Sequence, residues 1–303
     1  MANYVVSDTS LGSVADAIRT KGGTSAPLTY PQGFIDAIDA ISGGGDEPIP
    51  DDGKTRIWIH IADETPDNRL TFYLRFKAST ANNTTVDWGD GVSETLGSAT
   101  ATNYSHKYAQ SGDYIIVMTV NSGTIALEGS SASPYYAIYG LRANGYGNEY
   151  NRLRITRVII GNNVSQIGEY CFYFCVALSN ISFTAGITSI GSNAFSLCHV
   201  LNSMIIPEGV TSIESSAFDG AQGLKVLTLP STLTSIGTRA FGSCYSMSEY
   251  HFKPTTPPTL ANSNAFASIA SDCIIYVPQG SLSAYQSATN WSSYSSKMQE
   301  EPT

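Results

Sequence analysis

The sequence predicts a mainly β protein: a short N-terminal helical hairpin, a β-sandwich, and a repeat solenoid with terminal caps. Three patterns carry this expectation. Phe172, Phe195, Phe218 and Phe241 stand 23 residues apart, inside CFYFC, AFSLC, AFDGA and AFGSC, and a looser fifth copy places Phe266 at 25. Self-similarity at a fixed period of this size marks a stacked repeat. Between Lys54 and Glu128 the side chains instead alternate at period two, and before Ile41 apolar residues fall at helical spacing.

In chain order, residues 1–42 read as two short amphipathic helices. Leu11, Val14, Ala15 and Ile18 form the first apolar stripe, and Lys21-Gly22-Gly23 ends it. Pro31 sits near the start of the second, whose stripe is Phe34, Ile35, Ile38 and Ile41. Helices this short do not stand alone, so the pair is expected to dock on something. Residues 43–53, rich in Gly, Pro and Asp, read as a linker.

Residues 54–128 carry the strand pattern. Ile57, Ile59 and Ile61 alternate with Trp58 and His60; Leu70, Phe72, Leu74 and Phe76 alternate with Thr71, Tyr73 and Arg75; Tyr114 to Val120 gives a later strand. Short strands broken by turn residues imply a sandwich. Asp87 and Asp90 precede glycines in DWGDG, where hairpin-turn chemistry accounts for them and two carboxylates fall short of a calcium ligand set. From 129 to 152, Tyr135, Tyr136, Tyr139, Tyr146 and Tyr150 stand among Ser, Gly and Asn. That mixture suits an adaptable binding surface. It equally suits an irregular coil that caps the open end of a solenoid.

The repeats occupy 153–272. Each pairs its Phe with an upstream isoleucine, Ile167, Ile190, Ile213 or Ile236, and with an earlier apolar run such as Met204-Ile205-Ile206 or Val226-Leu227-Thr228-Leu229. One coil would hold a strand, a tight turn, a second short strand and a Phe-centred turn, so that stacking lays Ile on Ile and Phe on Phe. Residues 273–303 depart from the pattern. They read as a strand, a helix capped by Ser281, and a terminal cap closed by Tyr285, Trp291 and Tyr294.

Composition narrows the chemistry. The net charge is −9, the pI is near 4.8 and only 14% of residues are charged, with no compensating Lys/Arg cluster, so nucleic acid is excluded as a partner. The longest apolar runs are too short to insert in a membrane, and the first residues lack the basic and apolar regions of a secretory signal. All five cysteines, Cys171, Cys175, Cys198, Cys244 and Cys273, lie in or beside the repeats. Three share a slot that Ala221 fills in another copy, which describes a small buried position. No metal site, cofactor or catalytic residue is expected: His60, His106, His199 and His251 are scattered, and no nucleophile, phosphate-loop or metalloprotease motif occurs.

Three resemblances follow from these residues. SLGSVADAIRTKGGTSAPLTYPQGFIDAI resembles a segment at the start of many phage tail and baseplate-associated proteins, which implies an attachment role for Leu11, Val14, Ile18, Phe34 and Ile38. VDWGDG with YSHKYAQSGDY resembles the polycystic-kidney-disease (PKD) domain, an immunoglobulin-like sandwich that usually serves as a spacer or adhesive module. The four in-phase copies resemble the leucine-rich repeat of BspA-like surface proteins. Together they imply a phage virion protein of tail, baseplate or head decoration. It would bind other virion proteins through its N-terminal segment, and a host-surface protein or polysaccharide through the solenoid and the tyrosine-rich stretch. The oligomeric state, homo-oligomer included, stays open. The alternative is a bacterial cell-surface BspA-like adhesin; an enzyme is the least favoured reading.

Overall fold

The computed structural model describes residues 52–61, 70–129, 155–184 and 186–302. The expected helical hairpin, the linker up to residue 51 and the tyrosine-rich stretch from 130 onward lie outside the described residues.

Seven strands build the sandwich: β1 (Thr55–Ile61), β2 (Thr71–Ala78), β3 (Thr84–Asp87), β4 (Ser93–Leu96), β5 (Thr102–Lys107), β6 (Gly112–Val120) and β7 (Ile125–Leu127). One layer runs β1-β6-β3-β4 and the other β7-β2-β5. The period-two pattern explains the pairing of the layers. Ile57, Ile59 and Ile61 face Phe72, Leu74 and Phe76 across a core completed by Trp88, Tyr108, Ile116 and Met118, all buried.

The solenoid follows with longer strands β8 (Ile155–Ile160), β10 (Asn180–Phe183), β12 (Ser203–Ile205), β14 (Val226–Leu229), β16 (Glu249–Phe252) and β18 (Ile274–Val277). Between them lie the short strands β9 (Val164–Ile167), β11 (Ser189–Ile190), β13 (Ser212–Ile213), β15 (Ser235–Ile236) and β17 (Thr259–Leu260). Except between β10 and β12, each pairs in parallel with its counterpart in the next coil, and the repeat spacing sets the register: Ile167 lies beside Ile190, Ile190 beside Ile213, Ile213 beside Ile236 and Ile236 beside Leu260. The phenylalanines stack in the same order. Successive ring centroids from Phe172 through Phe195, Phe218, Phe241 and Phe266 are 5.3, 5.2, 5.6 and 5.1 Å apart, with interplanar angles of 9° to 17°. The looser fifth copy thus keeps its place in the ladder.

The Phe turn is a third hydrogen-bonded face. Residues two before, at and two after Phe172, Phe195 and Phe218 donate their amides to the next coil, as Tyr170, Phe172 and Phe174 do to the carbonyls of Ser192, Ala194 and Ser196 at 2.9, 2.8 and 2.7 Å; at the next turn Phe241 and Ser243 do so to Ala265 and Ala267. This geometry holds Tyr170, Asn193 and Ser216 at φ of 56°. Left-handed backbone costs about 1–2 kcal/mol for a residue with a Cβ, and the inter-coil hydrogen bond it permits offsets that cost.

Sandwich and solenoid share their sheets. β8 pairs antiparallel with β1, and β9 pairs parallel with β7, so one sheet runs β10-β8-β1-β6-β3-β4 and the other β17-β15-β13-β11-β9-β7-β2-β5. The buried apolar side chains form one cluster across the seam, and Gly53–Glu301 is one compact unit. The third sheet, β12-β14-β16-β18-β19, continues the longer strands after a break between β10 and β12 and ends on β19 (Met298–Glu300).

The C-terminal cap works through side-chain donors. Tyr285 on α1 (Leu282–Ser287) donates its hydroxyl to the Pro254 carbonyl at 2.8 Å, Trp291 its indole N–H to Pro258 at 2.7 Å, and Asn290 its amide to Leu260 at 3.0 Å. Tyr294, in the 3-10 helix Trp291–Lys297, donates to Ser263. These carbonyls belong to the last full coil, so the cap supplies the donors that a further coil would bring. Ser281 corrects the sequence reading: it occupies the N-cap position of α1 but makes no side-chain capping bond, because its ψ of −8° is already helical rather than extended.

Replacing Phe218, buried between Phe195 and Phe241, with Ala is expected to cost about 3–5 kcal/mol. Chemical denaturation of the purified variant measures it, and a loss below 1 kcal/mol would contradict the ladder's role in stability.

Candidate functional site

The residues singled out in the sequence fall into three groups. Tyr135, Tyr136, Tyr139, Tyr146 and Tyr150, like Leu11, Val14, Ile18, Phe34 and Ile38, lie outside the described residues. Asp87 and Asp90 hold the hairpin turn. Asp87 accepts from the Gly89 amide at 2.9 Å and Asp90 from the Val92 amide at 3.2 Å, while the other Asp90 oxygen meets His106 Nε2 at 2.7 Å. Burial acts to raise the Asp90 carboxyl, but the hydrogen bonds from His106 and Val92 outweigh it and hold the group below its ordinary range. The His106 ring stacks on Trp88, centroids 5.0 Å apart, and Tyr108 donates to the Trp88 carbonyl at 2.9 Å, so these residues build the sandwich core.

The five cysteines are buried free thiols. Cys198 and Cys244 donate to the carbonyls of Phe172 and Phe218 at 3.1 and 3.2 Å, each reaching back to the preceding coil. Burial pushes both thiols up to about 12 and Cys273 to about 11. Among the described residues, no group of three or more His, Cys, Asp or Glu side chains is arranged to hold a metal ion.

One surface draws chemistry together. On the third sheet, alternate residues of each strand point away from the core. The parallel register aligns Ile205, Thr228, His251, Tyr276 and Gln299 in one row across five strands, and Ser203, Val226, Glu249 and Ile274 in a second. All are partly or fully exposed. His251 is the centre: Nε2 lies 3.0 Å from Glu249, Nδ1 lies 2.9 Å from Glu301, and its ring stacks on Tyr276 with centroids 4.9 Å apart. Burial, with the nearby Glu249 and Glu301 carboxylates, raises the Tyr276 hydroxyl above its ordinary value, so it stays a neutral donor and acceptor at physiological pH. Lys253, two residues beyond His251, sits 3.7 Å from Glu208 of an earlier coil.

This is a patch of aromatic and apolar faces edged with acceptors, held on rigid strands. The two ring nitrogens of His251 each meet a carboxylate, Glu249 on its own strand and Glu301 beyond β19. Sequence reading passed over the patch. The Glu249-x-His251 spacing, which places both on one face of a strand, is visible in the chain; Glu301, fifty residues away, enters only through β19 and the cap. A smaller cluster lies on the outer face of the sandwich, where register places Trp58 between Ile115 and Arg157, whose guanidinium lies 4.8 Å from the Trp58 ring.

The geometry defines a mainly β solenoid of about six coils, capped at its C-terminal end, with an open patterned sheet. The family model for the BspA-type leucine-rich repeat region matches residues 147–273 in six copies, and the chain carries a repeat region of that type. Among solved structures, it is similar to the T. pallidum leucine-rich repeat protein, with 21% identity and a TM-score of 0.40 over 51% of this chain and 64% of that one. It is also similar to a leucine-rich cell surface protein from Faecalibacterium prausnitzii A2-165, with 24% identity and a TM-score of 0.28 over 41% of this chain and 36% of that one. The chain therefore spans less than two thirds of the length of either protein. No curated protein sequence matches it.

The thiols give two expectations. In the native protein, iodoacetamide at pH 8 should label none of the five cysteines, and all five in urea, as counted by intact mass. Because folding raises these pKa values, their contribution to stability is complete below the ordinary thiol value of 9.0 and is lost as pH rises toward the folded values of about 11 and 12. The melting temperature should fall between pH 9 and 11, and a flat profile over that window would contradict the burial described.

Proposed function

We propose that the chain is an adhesin-like, non-enzymatic binding protein that works at a surface and engages a protein or polysaccharide through the outer face of its solenoid. The observation that carries this reading is the row Ile205–Thr228–His251–Tyr276–Gln299, which combines an aromatic stack, apolar flanks and the Glu249 and Glu301 acceptors on one ordered sheet. Ordered strands keep such a patch preorganised, which lowers the cost of binding. The BspA-type repeat region supports display on a bacterial cell surface. A second reading, a virion protein of a phage tail, baseplate or head decoration, is supported by the N-terminal phrase that resembles phage tail segments; there Leu11, Val14, Ile18, Phe34 and Ile38 would serve attachment. In both settings the sandwich, whose Trp88, His106 and Tyr108 belong to the PKD-like phrases, presents the solenoid, and Tyr135, Tyr136, Tyr139, Tyr146 and Tyr150 offer a second contact.

The double variant His251→Ala/Tyr276→Ala should lose tenfold or more in binding to target cells or immobilised polysaccharide while its melting temperature shifts by only a few degrees. Undiminished binding by the folded variant would remove this face from the proposal. Antibody labelling separates the two settings: label on intact bacterial cells favours the surface adhesin, and label on purified phage particles favours the virion protein.

A further inference from the structure

We propose that the sandwich is the template on which the solenoid folds, a role beyond that of a spacer. The argument begins with the cost of the first coil. A coil of parallel strands must close a loop of about twenty residues before any inter-coil hydrogen bond forms, and such non-local pairing is slow to nucleate. In a free solenoid every coil faces this equally, and folding can start anywhere. Here the first coil meets two finished edges. β1 offers one to β8, pairing Arg56 with Ile159, Ile57 with Val158 and Trp58 with Arg157. β7 offers the other to β9, with Leu127 beside Ile167.

Strand length records the same asymmetry. β8 has six residues, against four in β10, three in β12 and four each in β14, β16 and β18; β9 has four, whereas β11, β13, β15 and β17 have two each. On both faces the longest strand is therefore the one at the seam. β8 is also the one solenoid strand with an antiparallel partner among the described residues.

Register at the seam is set by close backbone approach. The Gly161 amide donates to Thr55 Oγ1 at 2.9 Å, and a Cβ on Gly161 would lie 2.3 Å from the Gly53 carbonyl oxygen. The Gly168 amide donates to the Leu127 carbonyl at 2.7 Å. A one-residue slip would put a side chain where only hydrogen fits. At the far end the chain is closed instead by Tyr285, Asn290, Trp291 and Tyr294, whose acceptors exist only once the last coil is in place. The sandwich is built from antiparallel strands that all precede the solenoid in the chain, so it is synthesised first. It forms, fixes the register of β8 and β9, and each coil then templates the next.

The experiment is pulse-labelled hydrogen exchange during refolding of the full chain, read by mass spectrometry, in the parent and three variants. In the parent, β8 and β9 should gain protection before β16 and β18. Leu127→Ala, which weakens the β7 edge, should delay protection of β16 and β18 roughly tenfold. Thr55→Val, a milder change that removes only the hydroxyl acceptor, should delay it in the same direction. Tyr285→Phe, at the cap, should leave the order and times of refolding unchanged and speed unfolding alone. Protection of β16 and β18 first in the parent, or at parental speed in both seam variants, would overturn the proposal. The parent's order decides the question even if Leu127→Ala does not refold.

Discussion

Everything in this chain depends on the lateral stacking of equivalent residues from one coil to the next. A coil with a two-residue strand and one phenylalanine cannot bury its own apolar surface. It becomes stable when Phe lies on Phe and Ile on Ile at the 5 Å spacing seen from Phe172 to Phe266, with backbone bonds linking all three faces. That constraint makes the interior chemically quiet. The shared slot must be small, which is why cysteine and alanine interchange at Cys198, Ala221 and Cys244, and why the thiols sit deprived of solvent.

Stacking also creates a problem at each end, and the two solutions differ physically. At the start, strands of the sandwich supply backbone partners, so neither sheet has an open edge there. At the finish, among the described residues, no strand follows the last coil in the short-strand sheet, and the carbonyls of Pro254, Pro258, Leu260 and Ser263 are met by side-chain donors from α1, the 3-10 helix and the Asn290 that precedes it. A strand edge can direct the pairing of what comes next; a set of side-chain donors can only close what is already built.

What stacking leaves outside is free to vary. Alternation sends every second strand residue outward, and these positions escape the repeat's demand for sameness. Ile205, Thr228, His251, Tyr276 and Gln299 are five different residues at equivalent places, while their inward neighbours Met204, Leu227, Tyr250, Ile275 and Met298 are uniformly large and buried. The solenoid is thus a fixed scaffold with a variable face.

The sequence by itself determined the period, the core and the register of the repeats: the 23-residue spacing of phenylalanine and isoleucine leaves one way to stack them, and period-two alternation marks three of the sandwich strands, β1, β2 and β6. It also identified the small cysteine slot and the cap aromatics, since burial is written in residue type. Only the tertiary structure decided how the pieces join and where surface chemistry gathers. The pairing of β1 with β8 links residues about a hundred positions apart through backbone groups, which every residue type carries alike. The approach of Glu301 to His251 depends on where the cap returns the chain, and one carboxylate on a surface strand bears no mark of its partner. Periodicity reports what a residue faces within its own element; the joining of elements is settled by edges and register, which have no letter in the sequence.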